Sequence, residues 1–359
     1  LERNPYYWKV DRKKNRLPYL EEISFLVAGT EDAEVLRFEA GETDILNRIS
    51  AENYAVLEKE QSARGFRLYD LGPGLEYNFL LLNLNSKLPS EESASEIRRK
   101  QAWFREVKFR QAISSAIDRD GMNRIVYRGR GSPIWTHVPP GNRLWFDDKL
   151  PHPARSLERS RELLKSAGFS WRSDGSLIDS HGAEVEFSII TSASSGQRTQ
   201  MGTIIQQDLK ELGIHVQVVP LEFRAMLDRV LQTHNYEAAV MGVGGGDVDP
   251  NSQLNVWLSS GDDHFWDLQE ARPVTPWEAE IDRLMKQQMS TLTAKERKHL
   301  YDRVQEIEVE EAPVVFLVSP NVLVGAKTRV HNFQPAILDS HTLWNAEQLF
   351  FSGEGKSLK

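Results

Sequence analysis

The amino-acid sequence predicts an α/β fold, and three observations carry that reading. Between residues 184 and 243 the apolar pattern switches in the order strand, helix, strand, helix, strand. Such alternation builds a mostly parallel sheet covered by helices. The first of these helices runs out on Gly213, a residue able to take the left-handed conformation that stops a helix. The third strand then leads into "GVGGGDVDPN" (Gly242–Asn251), with four glycines in five positions followed by two aspartates. Glycine costs more to order than any other residue. Two reasons can justify this density: a backbone held open to a ligand at the strand's C-terminal end, where open α/β sheets bind, or the geometry of a tight surface turn.

The individual elements follow in order. "ISFLVAG" (Ile23–Gly29) alternates like a half-buried strand, and a helix is expected near Asp32–Ala40. "GLEYNFLLLNLN" (Gly74–Asn85) is the most strand-like early run. "SKLPSEESASEIRRKQ" (Ser86–Gln101) has no apolar period and reads as a loop. "VKFRQAISSAIDRDGMNRIVYRG" (Val107–Gly129) places Phe109, Ile113, Ala116 and Ile117 on one helical face. A second helix covers Ala154–Phe169. In the alternating unit, "EVEFSII" (Glu184–Ile190), "IHVQVV" (Ile214–Val219) and "YEAAVMGV" (Tyr236–Val243) are the strands. Thr199–Gly213 and a segment near Phe223–Leu231 are the helices. A long amphipathic helix over Thr293–Pro313 precedes two more strands, "VVFLVS" and "VLVGA". No internal repeat of fixed period is present.

With 359 residues, the chain can hold two or three lobes with ample core. Lys+Arg number 44 against Asp+Glu 52, a net charge of -8, which argues against a nucleic-acid partner. Cysteine is absent, so disulfides, thiolate metal sites and cysteine nucleophiles are excluded. No window is long and apolar enough to span a bilayer. The opening "LERNPYYWKVD" is polar and aromatic rather than a signal peptide, so a mature fragment or a designed chain is expected.

"DVDPNS" (Asp247–Ser252) begins like a calcium-binding EF-hand loop, but Ser252 stands where the turn needs Gly and Leu258 where it needs Glu. The glycines fail as a dinucleotide fingerprint because Asp247 falls on the third glycine. Asp247 and Asp249 could form a hydrolytic acid–base pair, or do separate jobs, one facing a site and one capping. The nine histidines show no H-E-x-x-H or similar spacing, so no metal site or cofactor is expected. Trp135, Trp145, Trp257, Trp266 and Trp277 are either core or platforms beside a polar cleft, with one or two facing a ligand.

Several segments, taken in order, resemble the peptide-type extracytoplasmic solute-binding proteins of ABC transporters. They are "RNPYYWKVD" with "LPYLEEISFLV", "FEAGETDIL", "VKFRQAISSAIDRDGM", "HVPPG", "RSRELLKSAGF", "IIQQDLKELGIHVQVVPLEF" and "GVGGGDVDPNSQLNVWLSSG". The likeness covers nearly the whole chain. It implies a type II periplasmic-binding fold in which two lobes joined by crossing strands close on a solute by a hinge. Residues 1–84 are then part of lobe I, 85–313 are lobe II and 314–359 return to lobe I. Family chains carry a further N-terminal part, so the first lobe is expected to be incomplete here, with weakened binding and self-association.

The resemblance implies binding rather than catalysis. The expected partners are a peptide, or another solute such as a sugar, opine or metal chelate, and a membrane permease. The expected location is periplasmic or extracytoplasmic and membrane-associated. The residues it implicates in ligand binding are Asp247, Gly244, Gly245, Gly246, Ser194, Ser195, Trp135 and Trp257. Asp247 would pair with a peptide's α-ammonium. It stands two residues after the family's aspartate, whose place is taken by Gly245. The arginine with which dipeptide-selective relatives hold the ligand carboxylate is missing from "TSASSGQ" (Thr191–Gln197), which points to a longer peptide.

Overall fold

The structure, a computed structural model, describes residues 1–88, 91–244 and 246–351. The chain forms two compact units. One comprises Leu1–Gly74 and Pro320–Lys359, the other Leu75–Ser319. Among the described residues no helix is long and apolar enough to cross a membrane.

The larger unit is built on a five-stranded mixed sheet. Its spatial order is Val314–Phe316, Tyr77–Leu82, Ala238–Val243, Glu186–Ser192, His215–Leu221. Glu186–Ser192 pairs in parallel with both of its neighbours. Tyr77–Leu82 runs antiparallel to Ala238–Val243 and to Val314–Phe316. Every residue of Tyr77–Leu82 is buried, as a central strand covered on both faces requires. The boundaries expected at 84/85 and 313/314 therefore move outward. Residues 77–82 and 314–316 complete this unit's sheet, and the chain passes between units at Gly74–Leu75 and Ser319–Pro320.

The helices pack by the stripes the sequence displays. Gly196–Lys210 buries Met201, Ile205 and Leu209. A Cβ at Gly202 would lie 3.1 Å from Val218, so this helix sits close against its strand. The helical reading of Val107–Gly129 is corrected to two helices, Val107–Ala116 and Arg119–Tyr127. Ile117 is extended, and Asp118 accepts from the Gly121 N–H at 2.8 Å to cap the second helix. Arg110 is buried in the first. Its guanidinium donates to the carbonyls of Phe104, Arg105, Glu311 and Ala312, a cation seated at the C-terminal ends of two further helices. Helices Pro276–Ser290 and Ala294–Glu311 pack together beyond the glycine run.

Two further expectations fail. Ser86–Gln101 is not a loop throughout, because a helix spans Glu91–Phe104. Its inward anchors are Ile97, Trp103 and Phe104, two of them beyond the polar window. Lys100 and Gln101 are buried on polar partners, Glu237 at 2.6 Å and the Asn85 carbonyl at 2.9 Å. Ile23–Gly29 is not a strand: Ile23 exchanges backbone hydrogen bonds with Leu1, but no strand pairs with the segment among the described residues, and Phe25, Leu26 and Val27 are exposed.

The smaller unit holds a sheet in which Val318–Lys327 lies between Ile45–Leu46 and Phe66–Pro73. Phe38, Leu57, Phe66 and Leu323 form its separate core. The Lys327 amine lies over the Phe38 ring, 4.5 Å from its centre.

Candidate ligand-binding site

Parallel pairing brings the C-terminal ends of Glu186–Ser192 and Ala238–Val243 to one edge of the larger unit's sheet. The antiparallel strand begins there too, since Tyr77 faces Val243 and Asn78 faces Gly242. The serines of "TSASSGQ" and the glycine run therefore emerge from neighbouring strands. Thr191 fixes one end of the arrangement by donating its hydroxyl to the Val240 carbonyl at 3.1 Å. Ser194 is exposed, with its Oγ 2.8 Å from Ser192 Oγ. Ser195 caps the helix Gly196–Lys210, accepting from the Arg198 N–H at 3.3 Å.

The glycines divide into two kinds. At Gly242 a Cβ would lie 2.5 Å from Arg198 Nη2 and 2.6 Å from Asn78 Oδ1. Its bareness makes room for a polar cluster: Arg198 Nε donates to Asn78 Oδ1 at 3.1 Å, and Nη2 donates to Glu76 at 3.3 Å. Gly244 and Gly246 are exposed, and nothing in the protein lies where their side chains would stand. Gly245 lies outside the described residues.

Asp247 is exposed, and its Oδ1 accepts from the Asp249 N–H at 3.3 Å. With Gly246 it rims a cavity of about 20 Å³, walled by Tyr77, His137, Asn142 and Tyr301. That volume suits about one water molecule. Below it lies a buried chain of polar groups. His137 Nδ1 donates to Glu308 at 2.6 Å, so its Nε2 accepts from the Tyr301 hydroxyl at 2.5 Å. Burial, reinforced by the Glu308 charge, holds the Tyr301 phenol well above its ordinary range.

Asp249 does a different job. Its Oδ1 accepts from the Asn251 N–H at 3.0 Å, capping the short turn Pro250–Gln253. Both of its oxygens accept from Arg297, at 2.7 and 2.9 Å. The Arg297 hydrogen bonds hold its carboxyl below the usual carboxylate range. A carboxylate so committed is a poor general acid, which counts against the hydrolytic pair.

The expectation that Trp257 faces a ligand needs correction. Trp257 is only 1% exposed and packs between His137 and Trp266. The large apolar ring is drawn into the core and offers no face to a ligand. Trp135 is half-buried, stacked on His152 at 4.5 Å, with the Arg119 guanidinium over its ring. Both contacts are intramolecular.

Sequence reasoning missed Arg198, Asn78 and Glu76. Arg198 stands one residue beyond the segment searched for an arginine. Asn78 is a lone polar residue in the apolar run "YNFLLL", and it is buried at the strand end it marks.

Residues 1–265 match the family model described as bacterial extracellular solute-binding proteins, family 5 Middle. The chain belongs to this family. Among its relatives is a "Probable ABC transporter-binding protein" of Deinococcus radiodurans, 26% identical over 346 residues, or 92% of this chain and 57% of the relative. Two solved structures are also similar. The oligopeptide-binding protein AppA of Bacillus subtilis, in complex with a nonapeptide, aligns with a TM-score of 0.74 at 21% identity, covering 94% of this chain and 61% of that one. The periplasmic binding protein MelB of Agrobacterium fabrum C58, in complex with stachyose, aligns with a TM-score of 0.78 at 20% identity, covering 99% and 56%. These likenesses establish the type II periplasmic-binding fold. The family 5 chain described here spans about half the length of the curated relatives it matches. Family 5 consists of solute-binding proteins, and the strand-end edge is where this member carries exposed backbone and an exposed carboxylate.

Proposed function

We propose that the protein is the substrate-binding component of an ABC importer and takes peptides, with oligopeptides favoured. One observation carries the reading. At the end of the strand Ala238–Val243, Gly244 and Gly246 leave main-chain groups uncovered beside the exposed Asp247. Uncovered backbone suits an extended ligand read through its main chain, with side-chain identity read loosely. Asp247 would receive the α-ammonium as a charge-assisted hydrogen bond. Ser194, exposed on the neighbouring strand end, would add a neutral contact. Arg198 already engages Asn78 and Glu76, so a short ligand's carboxylate would have to compete for it. The partner would be a membrane permease, and the site of action extracytoplasmic.

The likeness to a stachyose complex supports a second reading, an oligosaccharide on the same scaffold. Thermal stabilisation by nonapeptides, dipeptides, stachyose and metal chelates separates the two. A rise in Tm with peptides alone supports the proposal. A rise with stachyose alone replaces it with the second reading.

A further inference from the structure

Away from the strand ends, three buried side chains converge, an imidazole and two carboxylates. His264 lies in the segment following the short helix Leu254–Trp257, Glu270 six residues later, and Glu278 in the first turn of the helix Pro276–Ser290. Their side chains are 1%, 3% and 3% exposed. One potential ligand atom from each lies within 4.8 Å of the others. We propose that His264, Glu270 and Glu278 form a buried site for one divalent ion of zinc-like chemistry.

The imidazole is arranged for this. His264 Nδ1 lies 3.0 Å from the Val256 carbonyl, which can only accept, so Nδ1 carries a proton and Nε2 is the nitrogen turned to the two carboxylates, where it can bind a metal as the neutral imidazole. Metal-bound histidines are typically oriented in this way. Nε2 is buried and makes no hydrogen bond. Neither do the two carboxylate oxygens of Glu270, although the Val274 backbone lies nearby. Two unpartnered atoms, His264 Nε2 and Glu270 Oε2, thus lie 3.5 Å apart. Glu278 is steadier: its Oε1 accepts from the Trp266 indole N–H at 3.0 Å, and its Oε2 from the Thr275 N–H and hydroxyl.

The spacing separates an ion site from an ion pair. Nε2 is 3.5 Å from Glu270 Oε2 and 3.8 Å from Glu278 Oε1. Both are too long for good N–H···O bonds. Ligand atoms about 2.1 Å from a tetrahedral zinc ion stand roughly 3.4 Å apart, close to the two nitrogen–oxygen separations, and all three ligand atoms lie within 4.8 Å of one another. The charge argues the same way. Among the described residues no Lys or Arg forms an ion pair with either glutamate, their one basic neighbour is His264 at 3.5 and 3.8 Å, and two buried carboxylates beside a single imidazole are costly. A divalent ion cancels both charges. One nitrogen and two carboxylate oxygens suit zinc, with water in the fourth position.

The test refolds the full chain from urea with one equivalent of Zn²⁺ or Co²⁺, desalts it and measures bound metal. The expected result is about one ion per chain, a strong visible Co²⁺ band of tetrahedral type, and a Tm raised by Zn²⁺. Glu270→Gln should lose affinity at least tenfold and show no Zn²⁺-dependent rise in Tm. Its metal-free Tm should equal or exceed that of the unsubstituted chain, because an unpaired carboxylate has gone. Retention of no metal by the unsubstituted chain, absence of the tetrahedral Co²⁺ band, or equal affinity in Glu270→Gln would each overturn the proposal. Since the cluster is separate from the strand-end edge, loss of this site leaves the peptide reading standing, and the reverse.

Discussion

Asp249 and Arg297 meet through two hydrogen bonds, 2.7 and 2.9 Å long, that tie the segment after the glycine run to the helix Ala294–Glu311. The pair is half-exposed, so its worth is that of a well-aligned surface bridge, about 1 kcal/mol. Arg297 holds the Asp249 carboxyl below its ordinary value. The stabilisation is therefore complete above the unfolded carboxyl pKa of about 4 and fades as pH falls through the lower folded value. Urea unfolding at pH 7 and pH 3 should show a smaller acid-dependent loss in Arg297→Ala than in the unsubstituted chain. An identical loss would mean that the bridge contributes nothing.

Asp247→Asn addresses the amine anchor. If Asp247 holds the ligand's α-ammonium, the substitution weakens a peptide with a free amino terminus at least tenfold and an acetylated peptide hardly at all. Isothermal titration of both peptides reads the difference, and equal losses would remove Asp247 from that role.

Gly242→Ala pushes a methyl group into Arg198 and Asn78. Arg198 can swing away, but Asn78 is buried and also donates to Tyr127 and to the Val318 carbonyl. A cost of about 1–3 kcal/mol is expected. In a double-mutant cycle, Arg198→Ala should relieve part of it. Strict additivity would show that Arg198 is not what the glycine accommodates.

Tyr301→Phe removes the hydroxyl that donates to His137 Nε2 and leaves that nitrogen buried without a partner. About 1–3 kcal/mol of stability should be lost in chemical denaturation. A neutral result would imply that water takes the place of the hydroxyl.

The alternating unit was legible because its signals are local. Met201, Ile205 and Leu209 recur at helical spacing, Ser195 opens their helix, and the strands ending at Ser192 and Val243 are short apolar runs between turn residues. The mistakes came from information the window lacked. Trp257 could be assigned to core or cleft only once Trp266 and His137 closed around it. The helix Glu91–Phe104 hides its buried face behind Lys100 and Gln101, whose partners Glu237 and Asn85 lie elsewhere in the chain. Ile23–Gly29 has a strand's alternation but no strand to pair with among the described residues. The cluster of His264, Glu270 and Glu278 has no motif spacing, because a turn and a capping box bring its members together.

The sheet order has a consequence for the sequence of events in folding. Phe79 sits between Met241 on one side and Phe316 on the other. A ribosome delivering this chain from its amino end therefore releases this fully buried strand long before either neighbour exists. Contacts so distant in sequence form slowly. Until residue 243 has emerged "YNFLLL" has both edges unpaired, and until residue 316 has emerged one edge stays open to wrong partners. Nascent chains halted between residues 245 and 313 should bind a general holding chaperone more strongly than chains halted after residue 320, a difference visible by crosslinking at Phe79.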